Sequence, residues 1–243
     1  MVTNLAYFFE TARKVRGGQW VWVKDGNGEA RSNVLLGGTI KNPKKGFDHL
    51  FAAQLVQYTP QQGCYIFRSF AVKTATSAAT DTVIYVKGDG FSDAPETGMI
   101  LMKAPESLTA ETLTADTTTG AVTKTVADVT GQSAVVTAVE YSESDKHFKV
   151  TLSVAIGALT TDDILVEATG TAASATAKPL VTNPNTFVEA DRDLLPTEGY
   201  GFENANYSIS TVYRKAAWIE RMQPLPKYVL AKNRSYIPGV FEM

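Results

Sequence analysis

Two histidines and one cysteine are the side chains best suited to proton transfer, nucleophilic attack or metal binding in this chain of 243 residues. One histidine, His147, lies in the densest group of ionisable residues, within "AVVTAVEYSESDKHFKVTLSVAIGAL". Glu140, Glu143, Asp145, Lys146 and Lys149 surround it, together with Ser142 and Ser144. Such a group could hold a metal or carry acid–base chemistry if the chain brought its members to one point. Alternation argues for a different arrangement. Val135, Thr137, Val139 and Tyr141 share one parity, and Phe148, Val150, Leu152 and Val154 share another. Successive side chains of an extended chain point to opposite faces, so two half-buried strands are expected, joined by the polar loop Ser142 to Lys146. His147 then falls on the face opposite Phe148 and Val150, at a solvated hairpin tip. His49 and Cys64 stand in unrelated contexts, so neither a metal site nor a cofactor is expected.

Other chemical templates fail on spacing. "GGTIKNPKKG" lacks the spacing and strand-to-helix setting of a phosphate loop. There is no G-x-S-x-G, H-E-x-x-H or C-x-x-C, and a Ser-His-Asp arrangement has few candidates. The run from Asp25 superficially matches a calcium loop, but Ala30 and Leu36 stand where a glycine and a glutamate are needed. Asp162–Asp163 and Glu143/Asp145 could be imagined as glycosidase carboxylates. Adjacent acids on a strand face opposite ways, and loop acids are ordinarily only solvated, so no catalytic residue is assigned.

Composition sets the class. Apolar residues make up 44% of the chain and aromatics 10%, ample for a folded core. A net charge of −2 argues against general nucleic-acid binding. A lone cysteine rules out an internal disulfide and fits folding in a reducing cytoplasm. "MVTNLAYFFETARKVRGG" has no signal-peptide pattern, and no run approaches the length of a membrane span, so neither secretion by a signal peptide nor insertion in a bilayer is expected.

The elements expected are mostly short strands separated by turn signals. A short helix is expected through Leu5–Ala12 and a hairpin from Trp20 across Asp25–Gly28. Gly37–Gly38 and "KNPKKG" read as loop, and "GFDHLFAAQLVQY" is ambiguous between helix and strand. Strands are then expected over "GCYIFRSFAV", Thr82–Lys87, "GMILM", the His147 hairpin and "DDILVEA". "ESLTAETLTADTTTGAVTKTVADVTG" reads as two edge strands or a projection, since threonine favours strands but offers little to bury. The expected fold is mainly β: a small antiparallel barrel or sandwich, with aromatic, partly irregular N- and C-terminal segments.

Charge divides the chain in the same way. Residues 1–73 hold ten Lys/Arg against four Asp/Glu, residues 74–190 six against fifteen, and residues 191–243 seven against six. The expected organisation is an N-terminal docking segment (1–73), an acidic Thr/Ala-rich β domain (74–190) and an aromatic, basic C-terminal segment (191–243) that folds with the first. Trp20 and Trp22 share a strand face, and Tyr213, Arg214, Lys215, Trp218 and Arg221 concentrate rings and cations, the residue types that protein interfaces enrich. These seven are the candidate interface residues. A single-stranded nucleic-acid platform is the weaker reading of the same residues.

"KTATSAATDTVIYVKGDGFSDAPETGMILM", then the hydrophobic hairpin, "DDILVEA" and "KPLVTNPNTFVEADRDL" carry a resemblance. The pattern, over roughly residues 65 to 195, resembles the head-fibre and capsid-decoration proteins of tailed phages infecting Bacteroides-type gut bacteria, including crAss-like phages. The resemblance implies a non-enzymatic virion component, assembled in the host cytoplasm and oligomeric on the head. Its partners would be the major capsid protein and other head or fibre proteins. The chain lacks the repeats and heptads of a fibrous shaft, which favours a compact auxiliary or anchoring role. Two readings from other classes are a carbohydrate-binding or adhesive β module, whose exposed rings stack on sugars, and a hydrolase with dispersed catalytic residues.

Overall fold

The computed structural model describes residues 34–44, 48–59, 63–88, 90, 93–115, 122–188, 191–194, 208–212, 217–218, 222–236 and 240–241. The fold is mainly β. Before the barrel come β1 (Val34–Thr39), β2 (Asp48–Leu50), β3 (Leu55–Thr59) and β4 (Gly63–Ile66). The barrel region holds β5 (Ser69–Thr74), β6 (Val83–Lys87), β7 (Ile100–Lys103), β8 (Thr109–Ala115), β9 (Val122–Asp128), β10 (Ser133–Ser142), β11 (His147–Leu152) and β12 (Ile164–Glu167). After it come β13 (Thr186–Val188), β14 (Arg192–Leu194), β15 (Ser208–Val212), β16 (Ala217–Trp218), the helix α1 (Lys227–Tyr236) and β17 (Val240–Phe241). The helix expected through Leu5–Ala12 and the hairpin from Trp20 lie outside the described residues.

Six strands close a barrel in the order β10-β11-β6-β5-β12-β7, and every neighbouring pair is antiparallel. Its interior is filled by alternate side chains of each strand, with β10 changing parity at the register shift between Val136 and Ala138. Phe70 and Val72, Ile84 and Val86, Leu101, Ala134 and Val136, Phe148 and Val150, and Leu165 belong to one buried cluster. β6 and β11 turn their other parity outward, so the burial of β11 alternates residue by residue from His147 to Leu152. That is the alternation visible in the sequence.

β7 and β12 behave differently because both of their faces are covered. Leu101 and Leu165 point into the barrel, whereas Ile100, Met102 and Val166 enter a second cluster outside it. Phe67, Phe187, Tyr228 and Val229 share that second cluster, so the helix and a neighbouring sheet roof the barrel wall. A strand buried on both sides reads as a continuous apolar run, which explains "MILM" and "ILV".

The neighbouring sheet has the order β1-β15-β13-β3-β4. Its strands come from both sides of the barrel in sequence: β13 pairs with β3, and β15 with β1 and β13. Leu55 and Phe187 pack toward the barrel, while Val56, Cys64, Ile66 and Val188 form a third cluster on the opposite face. Gly37 and Gly38 lie within β1, not in a loop. Pairing with β15 shifts register between Leu36 and Thr39, and glycine is tolerated where a strand carries such an irregularity. The ambiguous stretch around His49 resolves into β2 and β3, not a helix.

The helix α1 was not expected from the sequence. Pro226 stands at its start, and the Pro226 carbonyl accepts from the amides of Val229 and Leu230 at 2.9 and 3.1 Å. Proline suits a first turn, where its missing N–H would have no partner. Tyr228 and Val229 are buried, and the Tyr228 hydroxyl donates to the Val181 carbonyl at 3.0 Å.

Candidate functional site

The His147 hairpin forms and β11 alternates as the sequence predicts, but β10 does not keep one parity. Ala134 and Val136 face the barrel interior, Val135 packs outside it and Thr137 is exposed, and Val139 and Tyr141 reach the barrel core only after the register shift between Val136 and Ala138. The polar groups of the tip satisfy one another at the surface. The Ser142 and Ser144 hydroxyls donate to the Asp145 carboxylate at 2.6 and 3.2 Å, and Lys146 lies 3.9 Å from Glu143. The hydrogen bond from Ser142, with that from Ser144 next, holds the Asp145 carboxyl below the usual carboxylate range. His147 rests edge-on against Tyr85, with ring centroids 5.0 Å apart. The tip is a self-bonded turn in solvent. His49 lies elsewhere, fully buried on β2 and edge-on to Phe51 at 4.6 Å. Cys64 is buried in the cluster beyond β3 and β4. Among the described residues, no three His, Cys, Asp or Glu side chains converge as metal ligands.

Of the carboxylates considered from the sequence, Asp163 is engaged in an ion pair. Asp163 pairs with Lys103 at 2.8 Å and accepts from the Thr160 amide at 2.8 Å. Burial pushes its carboxyl up, but Lys103 and the Thr160 donors outweigh that and leave it below the usual range.

Of the candidate interface residues, Trp20, Trp22, Tyr213, Arg214, Lys215 and Arg221 lie outside the described residues. Trp218 lies on β16, opposite Phe241 of β17 in a parallel pair.

The densest buried chemistry is a site for which no motif was visible. Arg68 and Asp93 are each 1% exposed and Lys44 is 2% exposed, so all three are cut off from water. The Arg68 Nε donates to Asp93 Oδ2 at 2.9 Å, and the Lys44 ammonium donates to Asp93 Oδ1. The Ala94 amide also donates to Oδ1, at 2.8 Å. The other end of Arg68 donates to the Asn42 carbonyl at 2.6 Å and lies 3.4 Å from Glu167. Asn42 completes the group: its amide nitrogen donates to Glu167 at 2.8 Å and to the Ile66 carbonyl at 2.9 Å, and its oxygen accepts from the Ile66 amide at 2.8 Å.

Two cations thus meet two carboxylates with their hydrogen bonds made, the condition under which buried charge is tolerated. Burial pushes the Glu167 carboxyl above its usual range, and the Arg68 charge and the Asn42 hydrogen bond only partly offset this. The group joins four stretches of chain: the loop after Ile40, the β4–β5 junction, the β6–β7 connection and the end of β12. Chemically it is a fastener, with each acid committed to a donor. One sequence signal could have found it, a lone arginine inside the apolar run "YIFRSFAV".

A second feature is the β8–β9 hairpin. The two strands pair only with each other, and every described side chain on them is exposed. Cross-strand register places Leu113 beside Lys124 and Val126 beside Glu111, with Val122 further along the same face. Leu113, Val122 and Val126 are 69%, 65% and 55% exposed. The opposite face carries Ala110 with Ala127, Thr112 with Thr125, and Thr114 with Thr123. The base is tied down by Lys178, which bonds Asp128 at 2.6 Å, and by Leu108, which packs against the second cluster.

Compared with known proteins, the chain matches no family model, no curated protein and no solved structure.

Proposed function

We propose that this chain is a non-enzymatic structural protein of a phage head, an auxiliary, decoration or fibre-anchoring component that binds the major capsid protein and works as an oligomer. The observation that carries the reading is the β8–β9 arm, where three large apolar side chains stand in water on one face of a two-stranded sheet. Exposed apolar surface gathered in this way is characteristic of proteins that act through contact with other proteins. The buried ionisable groups point the same way, because Lys44, Arg68, Asp93 and Glu167 are bound to one another and bridge separate parts of the chain. The sequence pattern over residues 65 to 195 supplies the choice of a virion over other assemblies. Repetition on a shell would turn a weak contact into durable attachment through avidity.

Incorporation into particles tests the reading. The gene is replaced by a form with Leu113→Asp and Val126→Asp, or by one lacking residues 1–40, in the phage that encodes it. The expected result is loss of the protein from purified heads in at least one of the two. Absence of the native protein from purified heads would refute the proposal outright.

A further inference from the structure

The turn that joins β5 to β6 borders an open groove of about 440 Å3. Thr74, Ser77, Thr80, Asp81, Thr82 and Tyr85 supply its polar walls. The groove is within the size range of small-molecule sites, and its chemistry is narrow. Asp81 is its single charged group. The Asp81 Oδ2 accepts from the Ser77 hydroxyl at 2.9 Å and from the Ala78 amide at 2.8 Å, which fixes the carboxylate at the groove wall. The same two bonds, the Ala78 amide first, hold its carboxyl below the usual range, so it is ionised at neutral pH. The hydroxyls of Thr74, Thr80 and Thr82 have no protein partner among the described residues. Tyr85 is half-buried, and its ring is held edge-on by His147.

These groups discriminate between ligand classes. An anion would meet the Asp81 carboxylate with no cation to offset it. Calcium takes six to eight oxygen ligands, usually including several carboxylates, and the groove offers one. A purely apolar ligand would strand the hydroxyls without partners. A neutral ring with hydroxyls on its rim and C–H groups on its face satisfies every group present: the rim bonds the acid and threonines, and the face lies on the tyrosine.

We propose that the β5–β6 groove is a binding site for a neutral sugar, oriented by the Asp81 carboxylate and the Thr74, Thr80 and Thr82 hydroxyls and stacked on Tyr85. The site is separate from the β8–β9 arm, so it stands or falls independently of attachment to a particle.

The test is an amide-resolved NMR titration of the full-length protein with the methyl glycosides of glucose, galactose, mannose and N-acetylglucosamine. At least one of them is expected to produce saturable shifts confined to residues 74–85. Tyr85→Ala should weaken that binding about tenfold or more, the loss of one well-placed contact. Thr82→Val, at an exposed position that buries nothing, should weaken it measurably and serves as the deciding variant if Tyr85→Ala loses its dispersed spectrum. Absence of saturable shifts in this segment with all four glycosides overturns the proposal. So does unchanged affinity in Thr82→Val, or in a Tyr85→Ala variant that keeps its dispersed spectrum.

Discussion

Arg68 shows how one residue can decide whether distant segments hold together. Its guanidinium reaches Asp93, Glu167 and the Asn42 carbonyl from a position with 1% exposure. Replacing it by methionine keeps much of the volume but leaves Asp93 with Lys44 as its remaining charge partner and Glu167 with the Asn42 amide. Stripping one member from a buried ionic group is expected to cost about 3 kcal/mol, measured as a lower midpoint in urea. Glu167 makes a separate, pH-dependent prediction. Its folded pKa is raised above the ordinary 4.5, so between that value and the folded pKa the native state binds more protons than the unfolded chain. Stability therefore falls as pH rises through that window and levels off above it. In Glu167→Gln this dependence should vanish, and the native protein should lose stability relative to the variant as pH rises from 4.5. A parallel offset at every pH would show that Glu167 is not the titrating group. No motif marks either role, because Arg68, Asp93 and Glu167 lie far from one another and from the Asn42–Lys44 loop in sequence, and the lone arginine of "YIFRSFAV" is the one local signal.

At the scale of elements, legibility followed how many faces of a strand are covered. β11 is buried on one face, and its alternation gave both its existence and the outward position of His147. β7 and β12 are buried on both faces, so their short apolar runs identified strands without revealing which side faced the barrel. The helix α1 escaped notice because its buried face is short and it follows the prolines of "QPLPKY". Its anchor should be energetically prominent. Tyr228→Ala is expected to cost about 3 to 5 kcal/mol through the cavity it leaves, and Tyr228→Phe about 1 to 2 kcal/mol through the unpaired Val181 carbonyl, both read from denaturation midpoints. The β8–β9 arm should behave in the opposite way. Two-stranded sheets are marginal in water, so its amides are expected to exchange with deuterium well before those of the barrel. Replacing Leu113 and Val126 by serine should change stability by no more than about 0.5 kcal/mol, because their side chains stand in solvent. A larger loss would mean that the arm is folded onto the body of the protein.

The molecule as a whole is organised so that its outer chain segments share structure around a closed barrel. β1, β3 and β4 precede all six barrel strands, and β13 and β15 follow them, yet all five form one sheet. Gln223 and Pro224 tie the C-terminal stretch back to the β4–β5 junction: the Gln223 amide donates to the Phe67 carbonyl at 3.0 Å, and the Ser69 hydroxyl donates to the Pro224 carbonyl at 2.5 Å. Most of these contacts span more than a hundred residues, which makes folding depend on long-range closure.

The sequence by itself determined the mainly β character, the positions of most barrel strands, the hairpin that carries His147 and the exposed Thr/Ala-rich segment. These follow from periodicity and turn chemistry, which act over a few neighbouring residues. Only the tertiary structure decided the closure of six strands into a barrel, the sheet built from both sides of it, the helix packed on its wall and the ion pairs around Arg68. Each of these depends on which distant surfaces bury one another, and a linear pattern of apolar and polar residues specifies that a face must be covered without naming what covers it.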